Sequence, residues 1–74
     1  MTDSQGIQIS VNGEPRQVAA GATLSELLDA MGIGRDARGV AVAVGDQVVR
    51  RAEWGTTAIT EGANIEVVTA VQGG

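Results

Sequence analysis

Hydrophobic and polar positions change their period several times along the chain, and each change predicts an element. Ile7-Gln8-Ile9-Ser10-Val11 alternates apolar and polar, the period of a half-buried strand. Asn12-Gly13 follows as a tight-turn pair, and Arg16-Gln17-Val18-Ala19 reads as the returning strand of a β-hairpin, with Pro15 tolerated at the start of an edge strand. Gly21 breaks that strand. Thr23-Leu24-Ser25-Glu26 then has capping-box spacing, and Leu24, Leu27, Leu28 and Met31 recur on one helical face before Gly32, a natural helix stop. The pattern predicts a helix of about nine residues, too short to stand alone and therefore packed on a sheet. After a charged, Gly-bounded loop at 34–39, Val40-Ala41-Val42-Ala43-Val44 is apolar on both faces. Gly45-Asp46 turns the chain into a short strand at Gln47-Val48-Val49. A polar connector carries one large anchor, Trp54. A weak segment at 56–60 buries Ile59, and Glu61-Gly62-Ala63-Asn64 is a turn. A strong strand runs from Ile65 to Val71, and Gln72-Gly73-Gly74 forms a short tail.

One helix cannot cover both faces of a sheet of four or five strands, so the elements assemble as an α+β fold with the helix across one face. If the first and last strands pair in the sheet centre they run parallel, and the helix supplies the crossover such a pair needs. That layout is the β-grasp, or ubiquitin-like, fold with a mixed four- to five-stranded sheet. The expected organisation is a disordered leader at 1–6, the domain at 7–71 and a flexible Gly-Gly tail at 72–74. Strand 40–44 leaves one question open: its valines or its alanines could face the helix. Val42 and Val44, together with Val68 and Glu66, are taken as a candidate partner-binding face, because an apolar strand with a single covering helix leaves a patch exposed.

Composition narrows the chemistry. Among 74 residues there is no His, Cys, Tyr or Phe, and the formal net charge is −4. A chain this short buries only about 60% of its unfolded surface, and no disulfide or thiolate metal site can reinforce it. Ser–His and Cys–His nucleophile pairs and Cys- or His-type zinc sites are excluded. An acidic chain with one aromatic residue lacks the stacking platforms and the positive surface that nucleic acids require, and its sign opposes anionic membranes. No apolar run approaches the roughly 18 residues of a membrane span, and the polar start is unlike a signal peptide. The reading is a cytoplasmic monomer that binds neither nucleic acid nor membrane. Asp46, Glu53, Glu61 and Glu66 either solubilise the domain or steer it toward a basic partner. Arg50-Arg51 reads as a solvated face, and Trp54 as a core anchor with its indole N–H satisfied.

A terminal Gly-Gly is a weak motif by itself, since chain ends often carry small residues. Following a β-grasp pattern, it acquires meaning. The chain resembles the ThiS/MoaD-like family of ubiquitin-like sulfur carriers from Ile7 to Gly74. The resemblance is carried by residues 7–14, 23–28 and 40–51, by Trp54, and by residues 65–74. Two positions depart from it: Arg50 stands where relatives often have Pro, and Gln72 where they often have a small residue. The resemblance implies that a ThiF-like (E1-like) enzyme uses ATP to adenylate the carboxylate of Gly74. A sulfur donor protein then displaces AMP to leave a thiocarboxylate, and a ThiG-like thiazole synthase receives the sulfur for thiamine biosynthesis. By the same resemblance Gly74 is the modified residue, and Gln72, Gly73 and Gly74 enter the partner's active site. The chain itself is not an enzyme and holds no stable cofactor, ATP being used by the partner. A MoaD- or CysO-like carrier for molybdopterin or cysteine synthesis, and a non-catalytic ubiquitin-like interaction module, remain as alternatives. The physical logic stands apart from the resemblance. A carboxylate is a poor electrophile and adenylation gives it a leaving group. Glycines lack side chains that would jam a narrow channel, and three residues reach about 10 Å.

Overall fold

The first two strands form the hairpin that the alternation predicts. In the computed structural model, which describes residues 6–34 and 38–69, β1 (Gly6–Val11) pairs antiparallel with β2 (Glu14–Ala19). Asn12 and Gly13 make the turn at φ 52° and 84°, the left-handed angles that a two-residue hairpin with the right-handed strand twist requires. β1 starts one residue earlier than the expected leader boundary, because Gly6 pairs with Ala19. The rest of the leader, the last two positions of the expected final strand (70–71) and the tail at 72–74 lie outside the described residues.

The helix α1 spans Leu24–Ala30, with Thr23 and Met31 as its caps. Counting those caps accounts for the longer span read from the sequence. Both bonds of the capping box form: Glu26 N–H donates to Thr23 Oγ1 at 3.3 Å, and Thr23 N–H to Glu26 Oε1 at 3.0 Å. Leu24 and Ser25 N–H donate to the carbonyls of Thr57 and Trp54 at 3.1 Å each. The first two helical amides are thus satisfied by carbonyls of the segment after the 3-10 turn, which explains why so weak a stretch is held in place. At the other end Ile33 N–H reaches Leu28 O at 2.8 Å and Gly32 N–H reaches Asp29 O at 3.0 Å, with Gly32 at φ 85°. This is a Schellman closure.

Strands β3 (Val40–Val44) and β4 (Gln47–Val49) form a second hairpin. A 3-10 turn at Arg51–Glu53 follows, and β5 (Asn64–Thr69) closes the sheet. The strand order is β2-β1-β5-β3-β4. β5 lies in the centre, parallel to β1 and antiparallel to β3, so the sheet is mixed and α1 lies within the β1-to-β5 connection. The architecture is the expected β-grasp fold with five strands. Leu24, Leu27 and Leu28 are buried against Ile9, Val42 and Ile65. Burying each of these side chains contributes about 1.5–3 kcal/mol, and Val11, Trp54, Ile59 and Val67 complete the cluster among the described residues.

Candidate functional site

The residues expected to react, Gly74 with Gln72 and Gly73, lie outside the described residues. What is described is the strand that leads toward them. Ile65 and Val67 of β5 point into the core at 0% and 8% exposure. On one side β5 is paired with β3 as far as Thr69 opposite Val40. On the other side its register with β1 is limited to Ser10 with Asn64 and Val11 with Ile65, because β1 turns away at Asn12. Asn12 N–H donates to Ile65 O at 2.8 Å. Its side chain continues the ladder, with Oδ1 accepting from Val67 N–H at 2.8 Å and Nδ2 donating to Val67 O at 3.2 Å. The sequence marks Asn12 only as a turn former. Its partner is 55 residues away, and no local pattern encodes it.

The four residues proposed as one partner-binding face do not share a face. Val42 is buried at 1% exposure beneath α1, and Val44, two residues on, lies on the same half-buried side. Both are therefore corrected to the core side. Glu66 and Val68 are exposed on the opposite side, alternating with Ile65 and Val67. Side-chain volume explains the choice: valines fill the layer under the helix, and the smaller alanines are turned outward. The register places Ala41 opposite Val68, and Ala43 between Glu66 and Val48. The open face therefore carries an apolar patch of Ala41, Ala43, Val48 and Val68, with Val48 at 72% and Val68 at 60% exposure. Val48 was absent from the candidate set. The tight turn at Gly45-Asp46 contained the signal, since it pairs Val44 with Gln47 and so puts Ala43 and Val48 on one face.

The neighbouring half of that face is polar. Ser10 Oγ donates to Asn64 Oδ1 at 2.8 Å, and Gln8 N–H donates to Glu61 Oε2 at 3.3 Å. Trp54 is buried as expected, and its Nε1–H donates to Val49 O at 2.9 Å. Arg51 is exposed but is not merely solvated: its guanidinium lies over the Trp54 ring at 5.4 Å from the centroid. The groove between α1 and the Trp54 turn offers Ser25 and Asp29, but no imidazole or thiol exists in the chain to activate a hydroxyl there. Among the described residues no helix is long and apolar enough to cross a membrane.

Comparison with known proteins gives the following likenesses. The model of the ThiS family matches residues 9–74. A thiazole synthase of Magnetococcus marinus is 41% identical over 68 residues, covering 92% of this chain; the chain spans about a fifth (20%) of that protein's length. The crystal structure of a thiamine biosynthesis protein (ThiS) from Geobacter metallireducens superposes with a TM-score of 0.76 at 28% identity. It covers 92% of this chain and 100% of that one.

Proposed function

Because this chain belongs to the ThiS family, we propose that it is a sulfur carrier protein for thiazole ring formation in thiamine biosynthesis. The reacting group is the carboxylate of Gly74. An adenylating enzyme joins it to the α-phosphate of ATP and releases pyrophosphate. A donor supplying sulfur at the oxidation level of sulfide then attacks the acyl carbon, AMP leaves, and a thiocarboxylate remains. ATP is bound by the partner and not by the carrier, and the exchange takes place in the cytoplasm. The observation that carries this reading is the extent of the family match, which runs to residue 74 and so includes Gly73-Gly74. The chemistry agrees: a carrier whose carboxylate is activated by a partner needs no imidazole or thiol of its own, and this chain has none.

The likeness to a thiazole synthase favours thiazole formation over molybdopterin or cysteine synthesis as the destination of the sulfur. The apolar patch of Ala41, Ala43, Val48 and Val68 is the surface we assign to the partner enzymes. It lies on the uncovered face beside the strand that leads to the tail, and exposed apolar groupings of this kind mark protein contacts. The test is exchange of labelled pyrophosphate into ATP by the adenylating enzyme. The label should enter ATP only when the carrier is present, and deleting Gly74 should abolish the exchange. Undiminished exchange with the truncated chain would remove Gly74 from the reaction.

A further inference from the structure

Ile65 and Val67 turn their backbone polar groups toward β1, while Asn64, Glu66 and Val68 turn theirs toward β3. The contacts from Asn12 N–H to Ile65 O and from Gly45 N–H to Asn64 O fix this alternation. β1 ends at Val11, so no main-chain group of β1 stands opposite Val67. The Asn12 carboxamide fills that place, presenting an acceptor to Val67 N–H at 2.8 Å and a donor to Val67 O at 3.2 Å. It does for the strand what one further peptide of β1 would do. These bonds are the last described ties on that side of β5 before the chain continues to residue 70. The turn itself does not need an amide side chain, because φ of 52° followed by 84° is open to Gly-Gly as well.

We propose that Asn12 is a positioning residue for the proposed sulfur transfer: its side chain clamps β5 at Val67 and so fixes the direction in which the strand hands the following residues to the partner's nucleotide site. The consequence for transfer rests on the carrier reading, whereas the clamp does not. Two hydrogen bonds to a partly buried backbone are enough to set local opening without governing global unfolding. The prediction is therefore local. Asn12→Gly keeps the turn and removes the clamp; Asn12→Asp keeps the turn and the acceptor but sets a carboxylate oxygen against Val67 O.

The experiment combines amide hydrogen exchange with steady-state adenylation kinetics on the full chain. In Asn12→Gly the Val67 amide should exchange about tenfold faster, and Ile65, two residues upstream, should change by less than about twofold. The KM for the carrier in adenylation should rise about fivefold with kcat nearly constant, since the clamp orders the strand before docking and takes no part in the chemistry. Asn12→Asp should give the same split between KM and kcat. Unchanged exchange at Val67 would overturn the clamp, as would equal acceleration at Ile65, which would make Asn12 a general stability residue. Faster exchange with unchanged KM in both variants would overturn the positioning role. If the unaltered chain is not adenylated at all, the carrier reading fails with the positioning role, and the exchange data alone decide whether the clamp exists.

Discussion

Trp54 shows how much one side chain carries in a domain this small. It is 3% exposed, donates its indole N–H to Val49 O at 2.9 Å, and has Arg51 stacked over its ring. Trp54→Phe retains an aromatic body but leaves the Val49 carbonyl without that donor and a gap where the second ring lay. The expected loss is about 1–3 kcal/mol, read as a lower urea midpoint at constant slope. A midpoint unchanged from the parent would show that the indole bond and the ring volume contribute nothing net. The anchoring role of Trp54 was legible in the sequence as its one aromatic residue within a polar stretch. The identity of its acceptor was not, since it depends on how the 3-10 turn at Arg51–Glu53 folds the chain back on Val49. Asn12 illustrates the same limit at longer range: the turn chemistry is local, but the bond to Val67 exists only once β1 and β5 lie side by side.

At the scale of elements, signals that reinforce one another were read correctly. The helix has a capping box, a leucine stripe and a terminal glycine, and all three act as their spacing implies. β3 is the contrary case. Alternation reports which face is buried only when the two faces differ in polarity, and Val-Ala-Val-Ala-Val is apolar on both. The choice is made by packing volume beneath α1, which buries Val42 and leaves Ala41 exposed. The proposed partner surface consequently moves from the valines of β3 to its alanines, joined by Val48 and Val68. Val68→Lys places a charge on that surface while leaving the core untouched. Stability should stay within about 0.5 kcal/mol of the parent. Affinity for the adenylating enzyme, measured by calorimetric titration, should fall about tenfold or more. Undiminished affinity would move the partner surface off this face.

At the scale of the whole molecule, the fold divides the labour. The helix and the inner faces of the strands make a thin, mostly aliphatic core, and among the described residues no element covers the opposite sheet face. The strand that leads toward the terminal glycines lies in the centre of the sheet, held by β3 on one side and by β1 and Asn12 on the other. The β-grasp order was legible because a terminal strand and a single helix leave few ways to pair the first strand with the last. The proposed chemistry comes from the resemblance that ends on Gly73-Gly74, and the absence of His and Cys agrees with it without pointing to it. The central claim is that Gly74 carries the sulfur. The measurement that meets it most directly is the intact mass of the chain after incubation with ATP, a sulfur source and an adenylating enzyme of demonstrated activity. The mass should rise by one oxygen-to-sulfur exchange, located by fragmentation at Gly74 and absent from the Gly74→Ala variant. An unchanged mass, or sulfur found at any other residue, would contradict it.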